Sequence, residues 1–183
     1  MSYKILLIVA IIILPFEIYS AQFSADIQVE MDGHLNGQGK IYVKDSKRRV
    51  ELNMPQGERS VVVLDIDKNK GYILIDKEKS YAELENISSF VQGEGLKGSK
   101  EADIKGRELI DGMHCDIIQK NLGNGVKQIY WFSKELDFPI LIETQINGQK
   151  YSQIKYINIQ RDAINSELFN IPKGYKRLDS HQK

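Results

Sequence analysis

Apolar and polar residues alternate with a period of two through most of the stretch from Gln22 to Gln160, and this is the tightest constraint on what the chain can become. In the first run Phe23, Ala25, Ile27, Val29 and Met31 alternate with Ser24, Asp26, Gln28 and Glu30. A strand sends successive side chains to opposite faces, so each such run makes a strand with one buried and one wetted side. Turn chemistry punctuates the runs at Asp32-Gly33, Asn36-Gly37, residues 45–47, 67–70 and 77–79, Asp111-Gly112, Gly123-Asn124-Gly125 and Asn147-Gly148. Pro139 opens or bends the strand 140–146, since proline is tolerated at strand starts and edges. The pattern predicts about eleven strands in an antiparallel meander, a mainly β fold whose sheet curls toward a half-barrel.

The rhythm changes once. Leu84, Ile87, Phe90 and Val91 recur at three and four residues, which predicts a short amphipathic helix over 83–92 covering the concave face. A helix that short is stable only if its stripe packs on something. The segment Gly93-Glu94-Gly95-Leu96-Lys97-Gly98-Ser99-Lys100 follows and reads as a mobile loop. It is no phosphate-binding loop, because Ser99 precedes Lys100 where that motif needs lysine and then the hydroxyl.

The amino terminus sets the compartment. Lys4, the apolar run Ile5 to Phe16 and then Glu17 to Ala21 have the three regions of a secretory signal peptide, with cleavage expected after Ser20 or Ala21. The run falls short of the about 20 apolar residues a spanning helix needs. Residues 1–20 are thus expected to be removed, leaving a single domain over 21–183 that works in the periplasm without a lipid anchor, since the only cysteine is Cys115.

Composition removes several function classes. The 25 Lys and Arg balance 25 Asp and Glu, so nucleic acid is not an expected partner. The short cluster of Lys44, Lys47, Arg48 and Arg49 reads as a solvated turn. One cysteine leaves the core to be held by packing, and alternation places Cys115 with Met113 and Ile117, away from His114 and Asp116. His34, His114 and His181 have no second ligand at metal-binding spacing, and no cofactor is expected. Asp65 and Asp67 read as a strand end entering a polar turn. No nucleophile and base can be named, so an enzyme is not expected.

Three phrases of the sequence, in order, carry a family resemblance. They are Val63 to Leu74 with Lys79-Ser80-Tyr81, then Tyr130-Trp131-Phe132-Ser133 with Asp137-Phe138-Pro139, then Glu167 to Tyr175. Their order resembles the superfamily of periplasmic lipoprotein carriers of the Lol pathway, in particular a branch known only as a domain of unknown function. The resemblance implies an eleven-stranded half-barrel whose short helices cover a cavity for acyl chains.

These readings nominate a ligand site. Leu84, Ile87, Phe90 and Val91 would form its cover, and Tyr72, Leu74, Tyr81 and Trp131 the opposing wall. The expected function is to bind acyl chains, a lipoprotein or another apolar ligand as a monomeric carrier. The alternative is an interaction or stress-sensing module that fills the sheet with its own side chains and binds an envelope protein.

Overall fold

The computed structural model describes residues 21–55, 57–87 and 104–178. They form one twelve-stranded sheet built from two meanders. The first contains β1 (Gln22–Met31), β2 (His34–Lys44), β3 (Lys47–Asn53), β4 (Arg59–Asp65), β5 (Lys70–Ile75) and β6 (Ser80–Glu83). The second contains β7 (Ile104–Ile110), β8 (Met113–Gly123), β9 (Val126–Ser133), β10 (Phe138–Ile146) and β11 (Gln149–Gln160). Antiparallel pairing of β1 with β11 joins the two, and a two-residue strand, β12 (Lys176–Arg177), adds in parallel to β6. The sheet ends at β12 and β7 and does not close into a barrel.

Local chemistry sets the register. Asp32-Gly33, Asp111-Gly112 and Asn147-Gly148 all have positive φ at both residues, the backbone of the two-residue turn that matches strand twist. Asn36-Gly37 makes no turn. Asp32-Gly33 has already reversed the chain there, and a bulge absorbs Asn36, because Val29 pairs with Gly37 while Glu30 pairs with Leu35. A second bulge in β11 holds Asn158 at φ 53°, with its amide donating to Asp26 Oδ2 at 2.8 Å. Such bulges bend strands and favour a curled sheet over a flat one.

In-register rows assign the faces. Phe23, Val43, Arg48, Leu64 and Gly71 form one row across β1 to β5, and Ala25, Ile41, Val50, Val62 and Ile73 form the next. Both lie on the concave face, as one contact proves. Arg48 in β3 and Phe138 in β10 are four strand spacings apart, about 19 Å in a flat sheet, yet the guanidinium lies 5.8 Å from the ring centre. Phe138 also meets Phe23 and Tyr156 edge-on, at 5.2 and 5.1 Å between centroids. The main core therefore fills the concave side between the meanders, with Phe23, Val43 and Ile140 fully buried.

Two expectations are corrected here. Arg48 and Arg49 do not belong to a solvated turn: β3 begins at Lys47, and alternation turns Arg48 inward, where it is 7% exposed and donates to the carbonyls of Asp45 and Lys47 at 2.6 and 3.0 Å. The helix expected over 83–92 does not begin where the periodicity put it. Glu83 still belongs to β6, residues 84–87 are irregular, and 88–92 lie outside the described residues, as does the expected mobile loop. Leu84 donates its backbone N–H to Gly71 O at 2.9 Å, so its spacing from Ile87 serves packing onto β5. A described helical turn, the 3-10 turn Ser166–Phe169, lies in a carboxy-terminal strap on the opposite, convex face.

Candidate binding site

Two apolar clusters lie outside the main core, one on each face of β4 and β5. On the concave side Val62, Leu64 and Ile87 are buried, with Ile66, Ile73 and Leu84 half-buried around them. Gly71 is what lets residues 84–87 settle there: a Cβ on it would stand 2.8 to 2.9 Å from Ile87 Cγ2, Leu64 Cδ2 and Leu84 Cδ1. Among the described residues this cluster has no member from the second meander.

On the convex side Val61, Val63 and Leu74 are buried beneath Phe169 and Ile164, with Tyr72, Tyr81, Ile171 and Tyr175 at the margin. Tyr72 and Tyr81 meet edge-on at 5.8 Å. The strap, residues 164–178, is fastened by polar groups of the same face. Lys44 Nζ donates to Ile164 O at 3.0 Å and to Ser166 Oγ at 2.8 Å, and Arg49 donates to Leu168 O at 3.1 Å. The Tyr175 hydroxyl donates to Asp76 at 2.7 Å, and Asp76 also accepts from Arg59 at 2.8 Å. Desolvation pushes the Glu51 carboxyl upward, but hydrogen bonds from Arg49 and Arg59 outweigh it and hold the group below its ordinary range.

The nominated ligand residues thus fall into three places. Tyr72, Leu74 and Tyr81 are together on the convex face under the strap, and Leu84 and Ile87 are together on the concave face. Trp131 sits in β9 of the other meander, where its indole N–H donates to Glu108 at 2.7 Å. Phe90 and Val91 lie outside the described residues.

Several groups were not nominated. Asp116 is 6% exposed and not on a wet surface, because Lys134 and Arg107 reach it at 2.8 and 3.1 Å. Burial raises its pKa, and these two partners outweigh burial and leave it lowered. Cys115 is buried as alternation implied, and desolvation with Asp116 and Glu108 nearby pushes its thiol up to about 11. Among the described residues no group of three or more His, Cys, Asp or Glu side chains could hold a metal ion. The signal for the strap was present in Phe169-Asn170-Ile171-Pro172, but nothing local says which face it covers.

Residues 24–155 match the family model of a domain of unknown function, DUF4412. The chain belongs to the DUF4412 family. No curated protein matches it. Among solved structures, this DUF4412 protein is similar to an uncharacterized conserved protein from Thermus thermophilus, with 12% identity, TM-score 0.62, and 87% of this chain and 91% of that one covered. It is similar also to MucB in the Pseudomonas aeruginosa MucA/MucB complex, with 14% identity and TM-score 0.54. That match covers 81% of this chain and 55% of the other, so the DUF4412 chain spans about half the length of that structure. A LolA superfamily protein from Nitrosomonas europaea aligns over 83% of this chain and 91% of its own, with 12% identity and TM-score 0.42. At these identities the likeness to MucB and to the Thermus protein is one of fold.

Proposed function

We propose that this chain is an exported protein of the cell envelope that works by binding, holding acyl chains or another apolar ligand against the concave face of β4 and β5. One observation carries the reading: the strip of Leu64, Ile73, Leu84 and Ile87 is a separate apolar cluster in which one chain segment, residues 84–87, packs on β4 and β5, and the second meander contributes no member among the described residues. A segment of that kind can lift at lower cost than a packed layer, because few buried contacts must open with it. Each methylene taken from water would contribute about 0.8 kcal/mol. The signal-like residues 1–20 support a periplasmic address. The test is native mass spectrometry of the mature protein, purified gently from its own host, with lipid extraction of whatever is released. A stoichiometric lipid or acylated peptide supports the reading; a clean apo mass that persists after incubation with envelope lipids overturns it.

A second reading, a module that binds an envelope protein, is favoured by a different observation. The concave centre is filled by the chain's own Phe23, Phe138 and Tyr156, as a closed core requires. The fold is also similar to that of about half of MucB, which was solved in complex with MucA. Crosslinking in intact cells that yields one discrete protein adduct, together with the apo mass, would establish it.

A further inference from the structure

The convex face carries a pocket that the concave-face reading does not use. It has a volume of about 290 Å³ and lies where β3, β4 and β5 end beside the strap. One cross-strand row supplies its polar rim: Lys47 pairs with Asp65, and Asp65 pairs with Lys70. Two strand spacings separate the outer pair, so two ammonium groups stand about 10 Å apart at their Cα atoms with a carboxylate between them. That carboxylate is already engaged. Lys68 Nζ donates to Asp65 Oδ2 at 2.9 Å, and the Lys68 backbone N–H donates to Oδ1 at 3.3 Å. Desolvation raises the Asp65 pKa, but the Lys68 bonds outweigh it and keep the group anionic. Lys47 acts on Asp65 through charge across the row, and among the described residues neither the Lys47 nor the Lys70 amine makes a side-chain hydrogen bond, so both remain able to donate to a ligand in the pocket.

The other side of the pocket is apolar. Val63 and Tyr72 come from the sheet, and Phe169 and Ile171 from the strap. A bare inorganic anion would use the amines and leave this floor wet, whereas a neutral hydrocarbon would use the floor and leave the amines unanswered. A molecule with both parts answers both, because charge-assisted hydrogen bonds and apolar burial then act on adjoining ends of one ligand.

We propose that this pocket binds the head and first carbons of an anionic amphiphile, its phosphate or carboxylate accepting from the Lys47 and Lys70 amines on the pocket side of Asp65, whose own charge Lys68 answers, and its chain against Tyr72 and Phe169. The site is independent of the concave strip and goes beyond the proposed function.

Isothermal titration calorimetry on the mature chain at low salt tests it, with octyl phosphate, inorganic phosphate and octanol as probes. Octyl phosphate is expected to bind once per chain, and each of the other two about tenfold or more weaker. Lys47→Gln with Lys70→Gln should weaken octyl phosphate about tenfold while leaving octanol and the melting temperature unchanged, and either single change should give part of the loss. The same double variant leaves the concave strip untouched and should release the same lipid as wild type in native mass spectrometry, so failure of this site is told apart from failure of the concave-face reading. Equal affinity for octyl phosphate and inorganic phosphate would reduce the pocket to a free-anion site. Wild-type affinity in the double variant, or no heat from octyl phosphate, would overturn the assignment altogether.

Discussion

Replacing Gly71 with alanine tests where residues 84–87 lie, because the sign of the effect depends on it. Gly71 is not among the glycines with positive φ, so its backbone suits alanine. With open space above it, the change would stabilise the protein by about 0.4–1 kcal/mol, through the narrower conformational freedom of the unfolded chain. The structure gives the opposite sign. The new Cβ would stand 2.8 Å from Ile87 Cγ2 and 2.9 Å from both Leu64 Cδ2 and Leu84 Cδ1, inside ordinary contact on three sides. Overpacking of this kind costs about 1–3 kcal/mol. Subtracting the unfolded-state gain leaves a net loss of about 0–2.6 kcal/mol, and its midpoint of about 1.3 kcal/mol is a fall of roughly 3–5 °C in melting temperature for a domain of this size. Urea and thermal unfolding by circular dichroism measure it. Leu64→Ala should itself cost about 2–5 kcal/mol, and in that background Gly71→Ala should cost less than it does alone, since one of the three obstacles is gone while Ile87 and Leu84 remain. A raised melting temperature for Gly71→Ala alone would refute the packing of Leu84 and Ile87 on β5.

Three further outcomes are expected. Phe169→Ala should destabilise by about 3 kcal/mol and expose Val61 and Leu74 to an apolar dye, whereas Tyr175→Phe, which removes one solvent-exposed hydrogen bond to Asp76, should change stability far less and without dye uptake; equal behaviour of the two would mean the strap is not anchored as described. Asp116 has a folded pKa below its unfolded one, so its contribution is complete above the unfolded value near about 3.9 and is lost as pH falls through the lower folded value. Asp116→Asn should therefore cost about 1 kcal/mol at neutral pH, a figure discounted because Arg107 and Lys134 are mostly exposed, and the gap from wild type should close in acid; a gap that persists unchanged down to strongly acidic pH contradicts the ion-pair origin. With its thiol pushed up to about 11 and buried, Cys115 should resist Ellman's reagent at pH 8 and react only on denaturation; rapid labelling of the native protein would count against its burial.

Much of this architecture was legible because alternation and turn chemistry are local. Phe23 to Met31 must form a half-buried strand wherever it is placed, and Asn147-Gly148 adopts its positive-φ turn with little help from neighbours. Where two local signals competed, as at Asp32-Gly33 and Asn36-Gly37, only pairing with β1 chose between them. The spacing of Leu84 and Ile87 suits a helix and an irregular segment on β5 alike, and contact with Gly71 decided for the latter in the described residues. The nominated site residues were all apolar or aromatic. Periodicity marked them as buried but not by what, and the sheet then divided Tyr72, Leu74 and Tyr81 from Leu84 and Ile87.

The sequence by itself determined the strand-rich meander, the positions of most reversals and the burial of Cys115. Each follows from the preferences of a few neighbouring residues and survives any global arrangement. The tertiary structure alone decided that Arg48 faces Phe138 across the curl, that the strap covers the convex face, and that Lys47, Asp65 and Lys70 share a row. Those facts depend on curvature and long-range register, which arise from pairing between segments far apart in the chain, and no local pattern encodes the partner of a strand.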